Sequence, residues 1–441
     1  MRPKNTPFVS RSGIQTNNEP LFWNESDARA LDRKMTLCIV SSISGAANGG
    51  EAAYIRCLGN HFVKLGHVVF GVSRLRLVHS EFLNYALSDA GPKGGCNQVS
   101  CGGWSCRLVG PQPTVTPLLR LLPYLMSRPI VNRLSGFVFR AAYDAPVLDA
   151  MPGKIDVVHY VGTGWELLGY SALHAARMRR AVFTITPFVH PDQWGDSRFD
   201  VRFYNQADAV YVCSEYERNH LEKKGVHSRR IHRTAMAPAG VQEADANRFR
   251  MRWNLGDRPV ILFLGRKQRY KGYHVLCLAM KEVIAAIPEV CLAVAGAEVE
   301  PPFPAVAKEN FLDLGELTTS TGHVQHKADA LAACDVFCMP STAEAFGLVY
   351  AEAWHYGKPV IGGMAPALEE LIIDDVNGYR VEQDKTQLAA RLIQLLQNEG
   401  LRRRMGDEGR RIQQEKYTWP AVSSRHLQIW TDLHRASVNH L

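Results

Sequence analysis

Two carboxylates, Glu344 and Glu352, stand seven residues apart in the stretch Met339 to Gly362, MPSTAEAFGLVYAEAWHYGKPVIG. Between them lies Phe346-Gly347-Leu348, where loop residues give way to apolar residues at helical spacing. A helix starting there presents backbone N–H groups without partners, and its dipole is positive at that end, so an anionic oxygen binds beside it. A phosphate held on the amides of Phe346, Gly347 and Leu348 has one acid on each side, and each acid can accept hydroxyl hydrogen bonds. A second group lies upstream in Gly265-Arg266-Lys267-Gln268-Arg269-Tyr270-Lys271-Gly272, directly after the apolar strand Pro259 to Leu264. Arg266 and Lys271 put positive charge on this loop, with a glycine at each end. His190, in Thr186-Pro187-Phe188-Val189-His190, and His159, in Ile155 to Tyr160, follow or end apolar strands and so point toward the crevice of an α/β sheet. Gly49 and Gly50 form a small-residue turn between a strand and a helix, where backbone can approach a phosphate or sugar closely.

These groups need a scaffold of repeated strand and helix units. Short apolar strands at 37–40, 68–71, 155–160, 181–186 and 207–215, then at 259–264, 290–295, 311–314, 335–339 and 358–361, alternate with helical patterns, which predicts two doubly wound parallel sheets. The 441 residues exceed one ordinary core, so the expected division is a flexible polar arm (1–34), an N-terminal Rossmann-like domain (35–240, with an insertion at about 74–152), a second Rossmann-like domain (241–419) and a closing helix (420–441). In the insertion, Cys96, Cys101 and Cys106 sit in a Gly-rich stretch read as an irregular loop, since the local sequence offers no fourth ligand for a structural zinc. Its apolar, basic part from Leu118 to Phe139 reads as packing beside the cleft or as an interfacial helix, with Pro123 and Pro129 against a long regular one.

Composition narrows the function. Apolar residues make up 46% and charged residues 21%, a globular balance, and no run approaches the roughly 20 apolar residues of a bilayer span. The N-terminus shows no apolar signal core, so a cytoplasmic protein is expected. The net charge of +8 comes without a Lys/Arg run interleaved with aromatics, which argues against nucleic acid and fits phosphorylated substrates or an anionic membrane surface.

The pair of acids with Pro-Ser before, Phe-Gly-Leu-Val between and Gly-Lys-Pro-Val after resembles the E-x7-E motif of the family-4 retaining glycosyltransferases. The resemblance covers about 35–435, strongly from 259 to 419. It implies the two-lobed GT-B fold, a nucleotide sugar (UDP- or GDP-linked) bound mainly by the C-terminal lobe, and a glycan, lipid-linked or small-molecule acceptor bound mainly by the N-terminal one. Glu344 is then expected on the donor sugar, Glu352 on the ribose, Arg266 and Lys271 on the diphosphate, and His190 opposite the sugar, with His159 a further candidate and Gly49 and Gly50 facing the donor phosphate. No metal or other cofactor is expected, because no Asp-x-Asp pair is present to hold a divalent ion. The third position of the family's Gly-Val-Asp turn is Gln242 here, which leaves that position without an expected role. A nucleotide-sugar epimerase of the same fold and a non-catalytic nucleotide-sugar binder are the alternatives.

Overall fold

The computed structural model describes residues 33–47, 50–74, 98–128, 131–239, 243–300, 303–317 and 324–439. The polar arm before Arg33, together with Gly49, Cys96 and the Gly240-Val241-Gln242 turn, lies outside the described residues. Two sheets organise the rest. The first contains β1 (Thr36–Ser41), β2 (Val68–Arg74), β3 (Gln98–Ser100), β4 (Ser105–Val109), β5 (Val157–Val161), β6 (Val182–Thr186), β7 (Ala209–Val212) and β8 (Ile231–Arg233), in the order β3-β4-β2-β1-β5-β6-β7-β8. The second contains β9 (Val260–Leu264), β10 (Cys291–Ala295), β11 (Phe311–Asp313), β12 (Val336–Met339), β13 (Val360–Gly362) and β14 (Gly378–Arg380), in the order β11-β10-β9-β12-β13-β14. Every pairing is parallel except β3 with β4.

The central strands are mostly apolar because helices cover both faces of a parallel sheet, and β5, β6, β9 and β10 are buried at every position, with His159, Thr184 and Thr186 as polar members of β5 and β6. In the second sheet the strand order reverses between β9 and β12. Ligands of open α/β sheets bind at such a point, outside the carboxyl ends of the strands.

Three short pieces depart from the sequence expectation. The cysteine stretch is not an irregular loop but the β3–β4 hairpin, with Cys101 and Cys106 buried as small apolar groups and the Cys106 thiol donating to Ser73 Oγ at 3.2 Å. β8 follows β7 as a further strand of the first sheet, and β14 extends the second beyond the turn at Asn377-Gly378. Among the described residues no helix is long and apolar enough to cross a membrane.

The last helix, Trp419–Asn439, packs on the first-sheet side, against the helix Gly50–Lys64 and β6. Its Trp430 is buried and donates from Nε1 to Thr184 Oγ1 at 3.2 Å, and Trp419 Nε1 donates to the carbonyl of Pro238 at 2.8 Å. His426, from the same helix, places Nε2 3.1 Å from the Tyr54 hydroxyl and Nδ1 2.8 Å from the carbonyl of Val422.

Burial drives the His426 pKa down to about 4, and burial beside His426 holds His159 well below the ordinary imidazole value. Unfolding restores a value near 6.5, so between about pH 6.5 and 4 the unfolded chain binds more protons and stability falls with pH. His426 alone accounts for about 3 kcal/mol across that window. Glu217 acts with the opposite sign, because burial raises its pKa to about 7. Urea unfolding of the parent and of His426→Gln from pH 7.5 to 4.5 separates the two: the stability difference between them is expected to narrow as the pH drops. A difference independent of pH contradicts the buried neutral imidazole.

Candidate active site

The loops leaving β9 and β12 are fastened to each other, and this brings Lys271 to Glu344. Thr342 N donates to the Tyr270 carbonyl at 2.8 Å, and Gln383 Nε2 donates to the carbonyls of Pro340 at 2.9 Å and Arg269 at 3.1 Å. Gly272 sits at φ +74° where an added Cβ would lie 2.3 Å from the Pro340 carbonyl oxygen, so a side chain there would separate the loops. The result is an ion pair of 2.7 Å between Lys271 Nζ and Glu344 Oε1, with the two side chains 15% and 9% exposed. Arg266, on the same loop, is exposed and donates from Nη2 to the Tyr270 hydroxyl at 2.8 Å. Lys267 turns the other way, buried, with Nζ 2.6 Å from Asp313 Oδ2, and ties the loop after β9 to the end of β11 across β10.

The helix expected from Phe346 begins at Leu348 and runs to His355. Gly347 is its cap at φ +89°, with no side-chain hydrogen bond to the first turn, and Phe346 is buried edge-on against Tyr417 at 5.4 Å. The first amides of the helix therefore have no capping side chain. Glu344 precedes them and Glu352 lies inside the helix, buried, with Lys327 Nζ 2.8 Å from its Oε1 and 2.6 Å from its Oε2. Lys327, in the helix Val324–Ala333, escaped the sequence reading because it belongs to no motif.

The first-sheet side contributes His190, packed against Trp194 at 4.8 Å with Nδ1 3.3 Å from the carbonyl of Phe188. Burial is the main cause that lowers its pKa, with Lys271 and Arg266 acting in the same direction and the Phe188 carbonyl and Glu344 opposing them. Glu217, which the sequence reading passed over, holds the loop that carries it. Its Oε1 accepts from Val189 N at 3.0 Å and its Oε2 from Cys213 N at 2.7 Å, tying together the chain beyond β6 and β7 next to Phe188 at φ +49°. Glu370 joins the two sides, accepting from Glu215 N at 2.8 Å and pairing with Arg233 at 2.7 Å.

His159 is not brought to this group. It is buried, bonded to Thr184 at 2.8 Å and Thr186 at 3.1 Å, and faces Tyr211, His426 and Trp430 beneath the last helix. Gly50 starts the helix after β1 and is exposed, with nothing within 4 Å of an added Cβ. Asp192, Asp196 and His220 also lie together, with Lys224 Nζ 3.1 Å from each carboxylate, where a cation already meets both acids.

The glycosyl transferases group 1 family matches residues 245–412. A D-inositol 3-phosphate glycosyltransferase of Xylanimonas cellulosilytica is 29% identical over 285 residues, covering 60% of this chain and 66% of the relative. A GDP-mannose-dependent alpha-(1-6)-phosphatidylinositol monomannoside mannosyltransferase of Mycolicibacterium smegmatis is 28% identical over 52% of this chain and 63% of its own. The chain spans between half and two thirds of the length of the first curated relatives it matches. Among solved structures, a sucrose-phosphate synthase from Thermosynechococcus elongatus superposes with a TM-score of 0.68 at 20% identity over 91% of this chain and all of that one. The Anabaena protein HepE in complex with UDP gives 0.66 at 16% identity over 90% of this chain and all of that one. The two parallel-sheet domains have the GT-B fold, and residues 245–412, which hold the second sheet, are similar to the glycosyl transferases group 1 family.

Proposed function

We propose that the chain transfers a sugar, with retention of anomeric configuration, from a UDP- or GDP-linked donor to an acceptor hydroxyl in glycolipid or polysaccharide synthesis. The observation that carries this reading is the convergence of Lys271, Glu344, Arg266 and the uncapped helix start at Leu348 where the strand order reverses. As the bond from sugar to phosphate stretches, negative charge grows on the diphosphate, and preorganised donors stabilise it more in the transition state than in the ground state. Lys271 has three N–H donors, so it can keep Glu344 and still reach a phosphate oxygen. Glu344 positions the sugar hydroxyls, Glu352 the ribose, and His190 closes the sugar side from the other domain. The leaving phosphate oxygen takes the acceptor proton, with no covalent protein intermediate.

The names of the relatives support the substrate classes: inositol 3-phosphate or phosphatidylinositol mannosides as acceptors, and GDP-mannose as donor in one of them. UDP in the HepE complex supports the other donor base. We place the reaction in the cytoplasm, with peripheral membrane contact for a lipid-linked acceptor.

Arg266 and Lys271 supply the charge a divalent ion would otherwise bring. Nucleoside diphosphate release from UDP-glucose and GDP-mannose is therefore expected to rise on adding an inositol or lipid acceptor extract and to survive EDTA. Loss on chelation with recovery in manganese contradicts metal independence, and release indifferent to every acceptor contradicts transfer.

A further inference from the structure

The insertion carries an apolar face that the reaction does not explain. Leu118 (44% exposed), Leu121 (49%), Tyr124 (56%), Leu134 (49%) and Phe137 (68%) are among the most exposed large apolar side chains described. They come from the consecutive helical turns Thr116–Leu121 and Leu122–Met126 and from the helix Arg133–Ala150, which pack on one another. The first three recur every third residue, which aligns them on one side of the tight first turns. Among the described side chains of the longer helix the exposed positions are Leu134, Phe137, Ala141 and Ala145, ended by Asp149. A surface helix normally turns charged and polar residues outward. Here the inner face is already committed to the core through Leu119, Leu122, Phe139 and Tyr143, so both faces are apolar.

The charge of this stretch of the sequence is one-sided. From Ala90 to Tyr143 the sequence has six Lys or Arg and no Asp or Glu, in a chain whose whole net charge is +8. Arg128 stacks its guanidinium over Tyr124 at 4.4 Å, and the inner acid of the long helix, Asp144, is paired with Arg140 at 2.9 Å. The adjoining helix Leu168–Arg179 also lacks acidic residues. Apolar and aromatic side chains among arginines match a lipid interface, where the rings and aliphatic groups enter the headgroup boundary and the cations meet anionic lipid. A second copy fits poorly, because two like-charged faces would oppose each other.

We propose that this face, centred on Leu121, Tyr124 and Phe137, docks the protein on an anionic bilayer. The inference rests on the proposed membrane-linked acceptor only for its purpose, since vesicle binding is read without any sugar transfer. The test is cosedimentation of the full chain with vesicles of phosphatidylcholine alone and of phosphatidylcholine with phosphatidylglycerol. The parent is expected to bind the anionic vesicles, to leave neutral ones in solution, and to lose affinity on raising salt. Leu121→Gln with Phe137→Gln is expected to weaken binding at least about tenfold, since each removes an apolar side chain from the contact. Both side chains are exposed, so the melting temperature and the calorimetric affinity for UDP or GDP are expected to stay at the parental values. Equal binding of parent and variant, or equal binding to neutral vesicles, overturns the proposal. A parental dimer that the double variant turns into a monomer overturns it in favour of a second copy. Loss of nucleotide binding in the parent would instead strike the proposed function and leave the docking result standing.

Discussion

Lys271→Ala is expected to lower sugar transfer by about 100-fold to 1000-fold, the usual effect of removing one preorganised donor to developing charge. The sequence suggests an exposed loop and hence an unchanged melting temperature. The structure changes that expectation, because Lys271 is largely buried against Glu344 at 2.7 Å. Removing the ammonium leaves a nearly buried carboxylate without its partner, which costs about 1–3 kcal/mol. Combining Lys271→Ala with Glu344→Gln removes that charge, so the double variant is expected to recover most of the lost stability while transfer stays low. Urea unfolding and initial transfer rates on the three proteins decide this. Recovery of activity along with stability would mean that Lys271 serves the fold and not the leaving group. Arg266→Lys is expected to be impaired with unchanged stability, because the residue is exposed and an ammonium lacks the two-pronged reach of a guanidinium.

Gly406→Ala is expected to destabilise the protein by about 3 kcal/mol or more, at the upper end for forced overpacking. The helix Glu399–Lys416 lies against the helix of Glu352 so closely that a Cβ at Gly406 would stand 1.9 Å from the Gly357 carbonyl oxygen. One turn on, a Cβ at Gly409 would stand 2.0 Å from Trp354 Cδ1, and Trp354 is buried with its indole N–H on the Asn377 carbonyl at 2.9 Å. Neither neighbour can yield, since one is backbone and the other a fixed ring. The helix must shift, and Glu352 with it, so nucleotide affinity is expected to fall together with stability. Gly400→Ala is the control: its nearest neighbour would be 3.6 Å away, and the change is expected to be neutral or stabilising by up to about 1 kcal/mol. Equal melting curves for Gly406→Ala and the parent contradict this packing.

The parts legible in the sequence are those written in local patterns. The strand, loop and helix around Glu344 and Glu352 show in apolar runs and in a glycine at the turn, and β9 and β10 read as continuous apolar stretches because both faces are covered. Edge pieces carry less of that signal. β8 buries Ile231 fully but His232 and Arg233 only in part, and β14 is Gly-Tyr-Arg, so neither resembles a strand before its neighbour is in place. The β3–β4 hairpin is hidden by glycines and cysteines that are chosen for close packing, with Trp104 lying against Gly59 and Gly71. Glu217 and Lys327 were invisible for a different reason. Each acts through a partner 28 or 25 residues away, and nothing local to either residue distinguishes it from a solvated charge on a helix. His159 shows the converse: its place at a strand end suggests the crevice, but the last helix covers it.

That helix also fixes the order in which the molecule can be completed as it leaves the ribosome. Tyr54, Thr184 and Thr186 are made early, but the side chains that seal them, His426 and Trp430, are made after the whole second sheet. At roughly 5–20 residues per second, the interval from β8 to Trp419 is about ten to forty seconds. During it the second sheet can close around its own strands, while the first waits with Phe62 and Tyr211 uncovered. The N-terminal half is synthesised first and finished last, so a nascent chain stalled before Trp419 would present that apolar seam to chaperones.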